Sequence, residues 1–216
     1  MYRNPVQVKV WGERACFTRP EMKAERVSYP VMTPSAARGV LEAIFWKPEF
    51  EWHVTSIAVL KPIRHFSAVR NEVNRRASPQ SAGFDISETR TQRHTLGLRD
   101  VAYVISADVI VAPHVGEDAA KYRDQFRRRV NKGQCFNQPY LGCREFVGYF
   151  GNVDGSESAI DLSEPLGLVL LDIEYKAEPP HEPHFFQAEL VRGVLNVPDY
   201  SFNTKGGADV PAKVGG

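Results

Sequence analysis

Val6, Val8 and Val10 alternate with polar neighbours. That period-two pattern predicts a strand with one buried face, ending near Gly12. Residues 13 to 33 carry Arg14, Arg19, Lys23 and Arg26 with no steady period and read as loop. The period then changes. Thr33 followed by Pro34 marks a helix start, a hydroxyl cap and then proline at the first helical position. Ala37, Val40, Leu41 and Ile44 follow at helical spacing and make one apolar stripe. Phe45 and Trp46 close this helix, because Pro48 disfavours helix in the residue before it. Trp52 to Ile63 reads as a second strand around Ile57, Ala58, Val59 and Leu60, and Val101 to Ala112 as a third. A second helix starts at Asp118 and stops near Gly133, with Tyr122, Phe126 and Val130 on one face. Arg144 to Phe150 reads as a fourth strand.

The order strand, helix, strand, strand, helix, strand predicts an α+β fold of the ferredoxin-like, RRM-like βαββαβ type. Both helices then cover one face of an antiparallel sheet. RNA-recognition modules share this architecture, although fold alone does not give function. Leu166 to Tyr175 and Phe185 to Val197 are further strands, joined by the proline-rich run Glu178 to Pro183. They predict a small C-terminal antiparallel β-sheet. The expected division is residues 1–150 for the ferredoxin-like domain, 151–204 for the small sheet, and 205–216 for a disordered Gly- and Ala-rich tail. Within the first domain, residues of about 66–95 hold Arg70, Arg75, Arg76, Arg90 and Arg93 without any steady period. They read as a basic insertion, a long mobile loop.

Composition narrows the picture. A chain of 216 residues can bury a core without disulfides. Cys16, Cys135 and Cys143 are odd in number and include no CxxC pair, which argues against a disulfide framework or a zinc site. Thiols in a reducing cytosol, hence a cytoplasmic protein, are the expectation. The six histidines show no paired metal spacing, and no metal or cofactor is expected. No apolar run approaches the roughly 20 residues of a membrane span, and the start lacks the pattern of a signal peptide. The formal net charge is only +1, yet Lys121, Arg123, Arg127, Arg128, Arg129 and Lys132 face a single acid, Asp124. Phe136 and Tyr140 follow in a loop with Gly133, Pro139 and Gly142. Arginines beside exposed rings suit single-stranded nucleic acid, with phosphates meeting the cations and bases stacking on the rings. A solvated basic face is the competing reading.

Two long runs then carry a resemblance. WGERACFTRPEMKAERVSYPVMTPSAARGVLEAIFWKP (residues 11–48) and NKGQCFNQPYLGCREF (residues 131–146) closely resemble the CRISPR-associated protein family of type I-C systems. That family is the d variant of the fifth Cas family, the Dvulg subtype, within the RAMP superfamily. The resemblance covers most of the chain to about Phe150. It implies a ferredoxin-like domain followed by a small β-sheet domain. It also implies an endoribonuclease that cuts CRISPR repeat RNA without metal and leaves a cyclic phosphate. The product stays bound by its 5′ handle, with the other type I-C Cas subunits as partners.

Metal-free RNA cleavage uses the 2′-hydroxyl as nucleophile, so the site needs a base, an acid and a cation for the phosphorane. Members of the family place Lys-His at the start of the second helix and Tyr or His at the end of the first. The matching positions here are Lys121-Tyr122 and Phe45. The resemblance therefore implies Lys121 as the electrostatic group and Tyr122 in place of the family histidine. Tyr122 can donate a proton, and Lys121 and Arg123 are expected to lower its pKa. Phe45 can only stack or pack. Arg123, Arg127, Arg128 and Arg129, with Phe45, are the candidate RNA-binding residues, and helical spacing lets at most half of the arginines face one ligand. Two readings stay open here: cleavage by Lys121 and Tyr122, with a histidine such as His94, or a non-catalytic scaffold that holds the handle. A third possibility is duplex DNA binding or metal-dependent DNA cleavage.

Overall fold

The computed structural model describes residues 5–22, 24–75, 85–174 and 181–200. In chain order the elements are β1 (Val6–Ala15), β2 (Arg26–Val27), α1 (Pro34–Ile44), β3 (Phe50–Val59) and β4 (His65–Val73). A 3-10 turn (Ile86–Thr89) leads into β5 (Arg90–Val111), followed by α2 (Ala119–Asn131) and β6 (Tyr149–Gly151). β7 (Glu164–Glu174), β8 (Glu182–Val191) and β9 (Val194–Asn196) complete the order. The fold is mixed α/β: two helices and a largely antiparallel sheet.

The strands run β6-β1-β5-β3-β9-β8-β7, with β2 and β4 also paired to β5. β5 is the spine. Its second half pairs with β1 from Leu98 to Ala107 and with β3 from Tyr103 to Val111. Its first half pairs with β4, from His65 opposite Leu98 to Val73 opposite Arg90. Residues 65–73 and 90–98 are thus a paired arm, and the expected loop over residues 66–95 is corrected. The reading missed them because Arg, Thr, Gln and His stand on both faces of an arm that packs on little besides itself. Alternation appears only where one face is buried.

The C-terminal strands are tied to the same sheet, because β9 pairs with β3 at Ser56, Ile57 and Ala58. The expected strand Phe185–Val197 is split in two. Arg192 and Gly193 both have positive φ, at 48° and 73°, so they make a two-residue hairpin turn between β8 and β9. A side chain at position 193 would also meet the Ile160 oxygen at 2.3 Å, which adds a second reason for glycine. The tail over residues 205–216 lies outside the described residues.

The core lies between the helices and the sheet. α1 presents Ala37, Val40, Leu41 and Ile44, and α2 presents Tyr122, Phe126 and Val130, all buried. Phe126 packs on Trp52 with ring centroids 4.8 Å apart, and Trp52 on Phe50 at 5.2 Å. Each such ring contributes about 1.5–3 kcal/mol by leaving water. α1 begins as its sequence predicts: the Ala36 N–H donates to Thr33 Oγ1 at 3.2 Å, and Pro34 follows the cap. Arg38 on α1 is buried and donates from Nε and Nη2 to the two oxygens of buried Asp172, at 2.7 and 2.8 Å. That bidentate pair fastens α1 to β7.

Candidate nucleic-acid interface

The basic helix α2 starts with Asp118 Oδ1 accepting from the Ala120 N–H at 2.9 Å. It ends in a Schellman turn. Gly133, at φ 62°, donates its N–H to Val130 O at 3.0 Å, and the Gln134 N–H reaches back to Arg129 O at 2.9 Å. The chain then folds against the end of α1. The N–H groups of Phe136 and Asn137 both donate to Ala43 O, at 2.9 and 3.0 Å. Arg129 Nη1 donates to Ile44 O at 3.0 Å, and its guanidinium lies 5.3 Å from the centre of the Phe45 ring. These donors satisfy carbonyls that a helix end leaves without partners.

Two of the expected RNA contacts meet protein groups instead. Arg129 is half-buried and caps α1, so its charge serves the junction of the helices. Phe45 is 2% exposed, and its ring packs 5.4 Å from that of Phe50, so it offers no face to a base. The other arginines divide by helical phase. At about 100° per residue, Lys121, Arg128 and Lys132 lie on the flank of α2 that also carries Arg129, and Arg123 and Arg127 on the opposite flank. Arg127 pairs with Asp124 at 3.4 Å. Arg123 and Arg128 make no ion pair among the described residues.

Lys121 and Tyr122 meet different surroundings. Lys121 is exposed and its Nζ binds Glu117 at 2.6 Å, which raises its pKa. The Tyr122 ring is 1% exposed and packs at a tilt against Phe50, with centroids 4.9 Å apart. Burial, and then the charge of Glu49, push its pKa above the ordinary value; Lys121 pulls the other way and loses. Lys121 thus acts in the expected direction, and burial with Glu49 outweighs it. Phe50 bridges Phe45 and Tyr122, so the two positions singled out by resemblance do share one aromatic cluster.

Sequence reading missed Glu49. It lies between α1 and β3, and one of its oxygens, Oε2, is buried without a hydrogen-bond partner. Its charge acts on both Tyr122 and Lys121. A buried unpartnered carboxylate oxygen calls for an explanation, and no motif pointed to it. His94 sits in the β4–β5 arm, opposite Val69. Among the described residues no group of three or more His, Cys, Asp or Glu could hold a metal ion, and no helix is long and apolar enough to cross a membrane.

A groove of about 700 Å3 lies between α1 and the loop that follows α2. Trp46 (48% exposed), Phe136 (75%) and Tyr140 (44%) line it with Arg144 and the amides of Asn137 and Gln138. Glu42 on the α1 side is held by Arg38 at 2.8 Å. A second cavity of about 260 Å3 continues it, sharing Gly39 and Tyr140 and reaching Thr18, Thr33 and Ser35. Three open rings, amide groups and a guanidinium are what unstacked bases and their phosphates require.

Comparison with known proteins gives the family. Residues 6–202 match the Cas5d family, described as CRISPR-associated protein (Cas_Cas5). A protein of Thermus thermophilus named CRISPR pre-crRNA endoribonuclease Cas5d is 45% identical over 210 residues, covering 89% of this chain and 91% of that one. A protein of the same name from Mannheimia succiniciproducens is 43% identical over 218 residues, covering 91% and 96%. The crystal structure of a CRISPR-associated protein superposes with a TM-score of 0.68 at 23% identity, covering 92% of this chain and 94% of that one. A functionally uncharacterized protein of Streptococcus mutans superposes at 0.67 and 19% identity, covering 92% and 95%. With the family match running through nearly all the described strands and both helices, the chain belongs to the Cas5d family of CRISPR-associated proteins.

Proposed function

We propose that this chain is an endoribonuclease that cuts CRISPR precursor RNA within the repeat and keeps the 5′ handle of the product, as a subunit of the type I-C interference complex. The observation that carries the reading is the groove lined by Trp46, Phe136 and Tyr140 with Arg144, between α1 and the loop that follows α2. The relatives named as pre-crRNA endoribonucleases support the same substrate. The strand order β6-β1-β5-β3 around two helices supports the ferredoxin-like, RRM-like topology, with β7, β8 and β9 as the small accessory sheet.

The proposed chemistry needs no group from outside the chain. The 2′-hydroxyl attacks the adjacent phosphorus, and the Glu49 carboxylate accepts its proton. Lys121 stabilises the charge on the phosphorane, and Tyr122 protonates the departing 5′-oxygen. A phenol with a raised pKa stays protonated across neutral pH, so the acid is lost only above the ordinary tyrosine value near 10, while the base requires an ionised carboxylate and is lost in acid. Arg123, Arg127 and Arg128 hold phosphates on the two flanks of α2.

The burial of Tyr122 favours a second reading, in which the chain binds the handle without cutting. Denaturing gels of repeat RNA with and without chelator separate the two. Cleavage that survives chelator and falls about 10²–10³-fold in Lys121→Ala, Tyr122→Phe and Glu49→Gln supports the enzyme. Tight binding with no cleavage supports the scaffold. If all three variants cut like the parent, the site lies elsewhere.

A further inference from the structure

Two cysteines far apart in the chain meet beneath the wall of the groove. Cys16 follows β1 and is fully buried, and Cys143 is half-buried in the loop after α2; both are free thiols. Their backbones touch. The Cys16 N–H donates to Leu141 O at 3.0 Å. Gly142, at φ 84°, comes so close that a Cβ there would lie 2.0 Å from Cys16 O. Cys143 Sγ donates to Cys16 O at 3.5 Å. Thr18 Oγ1 lies 3.6 Å from Cys16 Sγ and 3.8 Å from Cys143 Sγ. The neighbouring Cys16, chiefly, holds the Cys143 thiol down to about 6, against burial and Glu145 and with help from Thr18 and Arg26. Cys143 and then burial push Cys16 up. The proposed cleavage reaction uses neither thiol.

We propose that Cys143 is a peroxide-reactive thiol resolved by Cys16, so that oxidation closes a Cys16–Cys143 disulfide and pins the wall of the groove to the end of β1. The Cys143 thiolate attacks one oxygen of hydrogen peroxide. The O–O bond breaks, the other oxygen leaves as hydroxide and takes a proton to become water, and Cys143 is left as sulfenic acid. The Cys16 sulfur then attacks the sulfenic sulfur. The S–S bond forms as the S–O bond breaks, and the hydroxyl departs as water with the Cys16 proton. The two thiols lose two electrons and the peroxide gains them. Tyr140 and Gly142 line the groove and its continuation, and Cys143 is the next residue. The bond therefore fixes that wall relative to Thr18 and Phe17 across the cavity. The disulfide itself stands on the thiol geometry alone; its effect on RNA rests on the groove being the RNA site.

The test oxidises the full-length chain with hydrogen peroxide and maps non-reduced peptides by mass. The expected product is a monomer lighter by two hydrogen atoms, with the Cys16 and Cys143 peptides joined. Cys135→Ser gives the same product, and Cys16→Ser leaves Cys143 as a sulfenic acid that dimedone traps. Oxidation centred on Cys135, a disulfide between two copies, or Cys143 unreactive in Cys16→Ser would overturn the proposal. Binding of repeat RNA is then measured on the oxidised and reduced forms. A several-fold difference that vanishes in Cys143→Ser supports both the thiol pair and the groove. A disulfide that forms without changing RNA affinity supports the pair and counts against the groove.

Discussion

α1 and α2 pack on the same side of the sheet, yet they spend their arginines in opposite ways. α1 has one, Arg38, buried and held by Asp172 and Glu42. α2 has four, of which Arg129 turns inward to cap α1, while Arg123, Arg127 and Arg128 stay on the outer flanks. The difference lies in phase and neighbours. Arg38 flanks the apolar stripe of its helix and is buried against Asp172 of β7, where only a paired charge is tolerated. Arg129 sits at the edge of the stripe, where carbonyl oxygens of the next helix end are within reach. A count of cations thus overstates the surface that a polyanion meets.

That contrast can be broken at several points. Asp172→Ala leaves Arg38 buried without its acid and is expected to cost about 3–5 kcal/mol, read as a fall in the denaturant midpoint. Arg129→Met should cost about 1.5–3 kcal/mol of stability through the lost charged cap, and less in RNA affinity than in stability. If it weakens RNA binding while leaving the midpoint alone, the inward role of Arg129 is wrong. Phe136→Ala should cost about 1–3 kcal/mol of RNA affinity in a filter-binding titration with no loss of stability, since the ring is exposed. The smallest effect belongs to Arg128→Ala, which should lower the slope of log affinity against log salt by about one and weaken all sequences alike.

The fold was legible where one face of an element is buried. The valines of β1, the Thr33–Pro34 start of α1 and the stripe of Phe126 and Val130 are all patterns written by a core. The β4–β5 arm was not legible, because it has polar residues on both faces and is held by strand pairing and by contacts with residues distant in the chain, such as Phe66 with Phe146. Nor was the turn at Arg192, where an arginine takes a backbone conformation that favours glycine or asparagine. The site was legible in part. Helical spacing put Tyr122 on the buried face, but its position at the helix start left its burial open until Phe50 of β3 covered it. Phe136 and Tyr140 were visible as loop aromatics, whereas Trp46 was read with the helix end and stands as the opposite wall of the groove. Glu49 and the Cys16–Cys143 pair depend on contacts between elements distant in the chain, which no local pattern records.

The bond between Arg38 and Asp172 spans 134 residues, and this bears on how the chain is made. When α1 leaves the ribosome, its arginine has only Glu42 nearby. Synthesis proceeds at about 5–20 residues per second, so several seconds pass before β7 and Asp172 emerge. An α1 that packs before β7 emerges has only Glu42, one turn away, to answer its buried arginine. A chain cut before β7 is therefore expected to hold α1 less firmly than the full chain, read as a lower denaturant midpoint.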